Sequence, residues 1–149
     1  MAVGILSYGA YVPRLRLQRS AVVEANAWFN PGLASQARGE RAMAGWDEDS
    51  ITMAVEAARD CLGGLAREQV AAVHLASTTL PFDDRSNSGI VAAALSLPSA
   101  IRTLDLAGSL RAGTSGLLSA LAMAGAAGPV LLTAADRRRA RPGGAAELA

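Results

Sequence analysis

The stretch Asp105–Leu118, DLAGSLRAGTSGLL, decides the fold. Its first residues close the segment Ile101–Leu106, which reads as a strand. Gly108 then supplies a tight turn, since a residue without Cβ accepts backbone angles that others resist. From Arg111 onward the chain is rich in alanine, glycine and leucine, and a helix is expected over Arg111–Ala124. A strand that turns sharply into a helix is a common seat for a nucleophile or a bound anion. Free amides and the positive end of the helix dipole meet there. Ser109 and Leu110 occupy this turn, and no cysteine does.

Working outward, the same alternation recurs. Val130–Ala135 is almost wholly apolar, as a central parallel strand should be. Val70–Ser77 reads as a second strand, followed by a loop over Thr78–Asn87 and a short helix over Ser88–Leu97, stopped by Pro98. Asp47, Glu48, Asp49 and Ser50 crowd acidic and capping groups ahead of Ile51, Ala54, Val55, Ala58, Cys61 and Leu62. That is the N-terminus of an amphipathic helix, closed by Gly63-Gly64. Val3–Val12 is rich in β-formers, ends at Pro13 and reads as the first strand. Arg14–Arg19 reads as a loop or short extension, Gln18–Phe29 as a short helix, and Gly32–Gly45 as an excursion. The order β, α, α, β, α, β, α, β implies an α/β fold with a largely parallel sheet and right-handed crossovers.

The bulk numbers fit one domain. The chain has 149 residues, 51% of them hydrophobic and only 4% aromatic, so alanine, leucine and valine must build the core. All fourteen basic residues are arginine, yet the net charge is only +1, which favours neither nucleic acid nor an anionic membrane. One cysteine rules out a disulfide framework and a cysteine-rich zinc site, and no metal site is expected. The N-terminus lacks the charge and apolar pattern of a signal peptide, and no run of about 18 apolar residues is present. A cytoplasmic protein is the resulting expectation.

Four segments in this order resemble the N-terminal half of a thiolase-fold enzyme of the hydroxymethylglutaryl-CoA synthase and ketoacyl synthase III branch. They are VGILSYGAYVPRLRL, GERAMAGWDEDSITMAVEAARDCL, LASTTLPF and DLAGSLRAGTSGLL. The resemblance implies a thiolase-like fold, a layered αβαβα architecture made of two similar halves, of which residues 1–136 supply one. Residues 137–149 form a basic, then glycine- and alanine-rich tail, weakly helical or disordered when alone. The family continues from this point into a glycine-rich strand. Its second half carries a catalytic histidine and an asparagine or second histidine, so a further segment or a second chain is expected to complete the site.

The resemblance also places residues. The family's nucleophilic cysteine, in segments such as CYGGT or CKAGT, falls on Leu110, whose alkyl side chain forms no thioester. The glutamate that does acid/base work in hydroxymethylglutaryl-CoA synthases falls on Thr78, whose hydroxyl is no base near neutral pH. Ser109 could carry an acyl group only if a base activated it, and otherwise caps the helix. Free amides at Leu110, Arg111 and Ala112 are expected to stabilise an oxygen anion, with Arg111, Ala112, Gly113 and Thr114 as the substrate-binding turn. No covalently bound cofactor is implied; coenzyme A enters as the thioester substrate, or an acyl-carrier protein does.

Other residues carry plainer expectations. His74 reads as a core or strand-face histidine and Cys61 as an inert core thiol. Asp83-Asp84-Arg85 reads as a solvated loop, and Arg137, Arg138, Arg139 and Arg141 as a solvated segment that could also meet coenzyme A phosphates. Tyr8, Tyr11 and Trp46 read as packing residues. The resemblance thus implies either carbon–carbon bond formation or cleavage on acyl thioesters in lipid metabolism, or a catalytically silent subunit that binds a partner such as an OB-fold protein. It further implies a homodimer paired along Ile101–Leu106. Light scattering is expected to show a dimer, and a stable folded monomer would contradict it.

Overall fold

The computed structural model describes residues 3–144 and Glu147. Tail residues 145, 146, 148 and 149 lie outside that description. The chain divides into two compact units, one formed by Met1–Tyr11 with Glu48–Arg137 and the other by Val12–Asp47 with Arg138–Ala149.

The larger unit is built around a three-stranded parallel sheet. Its strands are β3 (Ala72–Ala76), β4 (Arg102–Leu106) and β5 (Val130–Ala134), in the spatial order β4-β3-β5. The register sets Ala76 beside both Leu106 and Ala134. All three strands therefore end at one level, and the loops that follow them share one rim. Every residue of β3 is buried, as a central strand with both faces covered must be. Val73 and Leu75 join Ile51, Val55, Val91 and Leu95 in the main core. Burying each of these large aliphatic side chains contributes roughly 1.5–3 kcal/mol relative to exposure.

Helix α2 (Ser50–Cys61) begins as the acidic cluster implied. Asp49 accepts from the Thr52 amide at 2.8 Å, and the Thr52 hydroxyl accepts from the Asp49 amide at 2.8 Å. This reciprocal box satisfies two amides that the helix leaves open. The expected apolar face is buried except at Cys61, which is half-buried. Helix α3 (Asn87–Ala94) is capped by Ser86, whose hydroxyl accepts from the Gly89 amide. Helix α4 (Ala112–Ala127) packs on β5 through a stripe of small buried residues, Ala112, Gly116 and Ala120.

The smaller unit holds a two-stranded antiparallel ribbon, β1 (Leu15–Gln18) with β2 (Glu40–Met43), and helix α1 (Arg19–Asn26). Val22, Val23 and Leu33 form its own small core. Two expectations change here. The segment read as a loop or short extension supplies β1, and the excursion supplies a 3-10 helix over Pro31–Gln36 and then β2. Arg14–Arg19 alternates apolar and basic residues, which suits a ribbon with one wet face.

A third change concerns Val3–Val12, which forms no strand. Strand identity belongs to a pair, and no neighbouring strand bonds to this segment among the described residues. The segment is nonetheless held. The Ser7 hydroxyl donates to the Cys61 carbonyl at 2.9 Å, and the Ala10 amide donates to Asp60 at 2.9 Å. At Gly9 a Cβ would sit 2.3 Å from the Cys61 nitrogen, so only glycine allows this approach to α2. Tyr8 and Trp46 are exposed rather than packed, Trp46 at 93%, while Tyr11 donates to Glu48.

Asp105 ties β4 to α3. Its carboxylate accepts from the Asn87 amide at 2.7 Å, the Ser88 amide at 2.7 Å and the Asn87 side chain at 3.1 Å. Burial alone would raise this carboxyl, but the hydrogen bonds from Ser88 and Asn87 outweigh it and hold it below its ordinary value. A depressed folded value means that the unfolded chain takes up the proton first. This contribution to stability is thus present above about pH 4 and is lost as pH falls through the lower folded value. Asp105→Ala should destabilise by about 2–3 kcal/mol at neutral pH, because it leaves two amides unmet. Urea titrations from neutral to acidic pH should show the gap between variant and wild type closing as pH falls.

Candidate active site

The C-terminal ends of β3 and β5 and the turn that leads from β4 into α4 border one cleft of about 240 Å³. Loops at this edge of a parallel sheet are the usual place for a ligand, because the strand ends and helix N-termini converge there. The cleft is lined by Ser77 and Thr78 after β3, by Leu110, Ala112 and Gly113 on the turn into α4, and by Ala134, Ala135 and Asp136 at the end of β5. Thr78 and Leu110, 32 positions apart in sequence, are thus brought to the same cleft.

The turn forms as its glycine implied, with Gly108 at φ +77°. Leu110 projects into solvent with 77% of its surface exposed. The amides differ from expectation. The Arg111 amide donates to the Ser109 hydroxyl at 3.1 Å, and the Ala112 amide donates to the Ser109 carbonyl at 3.0 Å. Two of the three amides expected to be free are therefore spent inside the turn. The amides of Leu110, Gly113 and Thr114 meet no partner among the described residues, and these can face an oxygen anion. Ser109 also corrects its role: it closes the turn three residues before the first residue of α4, and the helix has no side-chain cap. Among the described residues, no basic side chain bonds to its hydroxyl. Arg111 is exposed at the start of the helix.

Asp136, which no motif in the sequence marks, organises the other side of the cleft. Its carboxylate accepts from the Thr78 amide at 2.6 Å, the Thr78 hydroxyl at 3.0 Å and the Ser77 hydroxyl at 3.0 Å. Thr79 joins the cluster, because its hydroxyl accepts from the Arg137 amide at 2.8 Å. From the far side, the buried Ser50 hydroxyl donates to the Thr79 carbonyl at 2.8 Å. The Thr78 hydroxyl is thereby committed to Asp136 and holds the loop in place. The signal available in the sequence was an acid placed directly after a central apolar strand.

The remaining candidates lie elsewhere. His74 is a core histidine, 3% exposed on β3, with burial lowering its pKa and its Nδ1 without a partner. Cys61 lies on α2, with the Ser7 hydroxyl 3.2 Å from its sulfur. Asp83, Asp84 and Arg85 are exposed, as are Arg138, Arg139 and Arg141. Among the described residues, no three of His, Cys, Asp and Glu are grouped to hold a metal ion. No described helix is long and apolar enough to cross a membrane.

No protein-family profile matches the chain. It is 34% identical to the hydroxymethylglutaryl-CoA synthase of Archaeoglobus fulgidus, over 99% of this chain and 44% of that protein. It is 32% identical to the synthase of the same name from Thermococcus gammatolerans, over 95% of this chain and 40% of that one. Among solved structures it is similar to MvaS in complex with 3-hydroxy-3-methylglutaryl coenzyme A, with TM-score 0.81 and 24% identity over 98% of this chain and 37% of that chain. It is also similar to a 3-oxoacyl-(acyl-carrier-protein) synthase III, with TM-score 0.77 and 22% identity over 90% and 42% of the two chains. The chain spans less than half the length of these relatives.

Removing the Asp136 carboxylate should release the cleft wall. Asp136→Ala is expected to cost about 2–3 kcal/mol, the scale of charged hydrogen bonds lost together. It should also speed amide exchange at Thr78 while leaving α2 protected. Unchanged exchange at Thr78 would contradict this assignment.

Proposed function

Since the chain belongs to the thiolase-like superfamily, we propose that it forms part of a synthase-like protein that binds acyl-CoA or acyl-carrier thioesters for carbon–carbon bond formation or cleavage. The observation that carries this reading is the cleft itself. Amides of Leu110, Gly113 and Thr114 stand open at the N-terminus of α4, beside the position where the family places its nucleophile. Such amides stabilise negative charge on a thioester oxygen as a carbon nucleophile attacks or leaves. Leu110 removes the sulfur from this arrangement, and Thr78, bound to Asp136, offers no base. The chemistry consistent with these residues is therefore aldol-type: the amides polarise the carbonyl, no acyl-enzyme forms at position 110, and the base comes from the rest of the protein. The exposed free edge of β4 supports pairing with a second copy.

A second reading, a silent subunit that binds a partner chain, is favoured by α4. This helix is apolar nearly all round, yet Leu117 and Leu118 are exposed. Helices of that composition are ordinarily enclosed.

Calorimetry and intact-mass spectrometry with acetyl-CoA separate the two. Saturable binding without a covalent adduct is the expected result for the wild type, and Leu110→Cys should gain an acyl adduct within Asp105–Thr114. An adduct on the wild-type segment would overturn the assignment of Leu110, and absence of binding would favour the silent subunit.

A further inference from the structure

His74 is the one histidine of the chain and stands at the middle of β3, the central strand. Its neighbours Val73 and Leu75 join Leu131 and residues of α2 and α3 in the main core. Alternation along the strand turns His74 to the opposite face. There the register sets Leu104 on one side of it and Leu132 on the other. Helix α4 covers this face closely, since a Cβ at Gly116 would meet the Leu132 side chain at 2.9 Å and the Leu106 side chain at 3.5 Å. The imidazole thus lies between the sheet and α4, only 3% exposed, with its Nδ1 buried and unpartnered among the described residues.

A neutral ring is tolerated there, but an imidazolium would bring a charge and two N–H donors that need partners. Helix α4 offers none, because Ala112–Ala127 contains no ionisable side chain. Leu104 and Leu106 of β4 and Val130, Leu132 and Ala134 of β5, which share this face, offer none either. The charged group that does share it is Arg102, an exposed guanidinium whose like charge opposes a second cation. Asp105 alternates to the other face, where Asn87 and Ser88 hold it, and Glu56, Arg59 and Asp60 of α2 lie across the sheet. Burial accordingly lowers the pKa of His74. The element able to yield is α4. Strand β3 is fixed by β4 and β5 at its edges and by the large side chains of the core on its other face. Helix α4 meets the sheet through Ala112, Gly116 and Ala120, has no side-chain cap, and exposes Leu117 and Leu118. Lifting such small residues gives up little apolar burial.

We propose that His74 is an acid-sensitive latch: protonation of its ring lifts α4 from the sheet and disperses the turn that carries the open amides of Leu110, Gly113 and Thr114. The cleft is then intact at neutral pH and is lost in mild acid. The sign follows from where the proton binds. Above about pH 6.5 the ring is neutral in both the closed and the lifted forms, and α4 stays down. Below that value the lifted form, with its ring in water, takes up the proton first. The stability of the closed form then declines until the pH reaches the lower value of the packed ring. The inference concerns how α4 is held and is independent of the thioester chemistry proposed above.

Hydrogen exchange read by mass spectrometry on the 149-residue chain tests it, with each rate divided by the intrinsic rate at the same pH. Between about pH 7.5 and about pH 5.5, scaled exchange in α4 should rise about five- to tenfold while that in α2 stays unchanged. No other side chain has its ordinary pKa in that range. His74→Leu and His74→Gln, neither of which takes up a proton, should each remove the rise. The proton NMR spectrum of the wild type is a second measurement, unambiguous because the chain has a single histidine. Its ring signals should titrate with a midpoint below the ordinary 6.5. A rise that persists in either variant, a rise shared equally by α2, no rise at all, or a midpoint at or above 6.5 would each overturn the proposal.

Discussion

The burial of β3 on both faces and both edges is the constraint on which the larger unit depends. Ala72–Ala76 has no route to water, so each of its backbone groups must be met by β4 or β5. That requirement locks three parallel strands into one register and brings their C-terminal ends level. The cleft follows directly, because the loops after β3, β4 and β5 then have a common rim. Helices α2 and α3 cover one face, with Val73, Leu75 and Val91 interdigitating, and the small residues of α4 let it lie close to the other.

Two carboxylates translate this register into fixed loops. Asp105 draws in the N-terminus of α3 from within β4, and Asp136 draws in the loop after β3 from the end of β5. In each case an anion accepts from consecutive or near-consecutive donors, a geometry that ordinary loop residues achieve only when the strands already stand in register. The first arrangement is structural. The second shapes the cleft wall that carries Thr78. The hydrogen of the Thr78 hydroxyl is already used in its contact with Asp136. The cleft thus sets the Thr78 hydroxyl and the Leu110 side chain beside the open amides of the turn.

Much of the fold was legible from local pattern. The capping residues before Ser50, the 3.6-residue spacing in α2, the glycine at 108 and the apolar run at Val130 each depend on neighbours in the chain, so the sequence displays them. The meeting of Leu110 and Thr78 in one cleft depends on the strand order β4-β3-β5, which no local pattern displays. The misreadings share a cause. Val3–Val12 has strand composition but lacks a partner, and Leu15–Gln18 becomes a strand because Glu40–Met43 pairs with it. Neither fact is local. The free amides were misassigned for a similar reason, since the Ser109 carbonyl and hydroxyl consume two of them through a turn geometry that composition does not encode.

By itself, then, the sequence determined the alternation of strands and helices, the sharp turn before α4, and the absence of sulfur at position 110. These are properties of side chains and of short-range periodicity. Only the tertiary structure decided that Asp136 would hold Thr78, that the open amides would be those of Leu110, Gly113 and Thr114, and that the His74 ring would stand unpartnered beneath α4. Those outcomes join residues far apart in the chain, such as Ser77 and Asp136, 59 positions apart. They depend on register and packing, which exist only once the buried central strand has forced its neighbours into place.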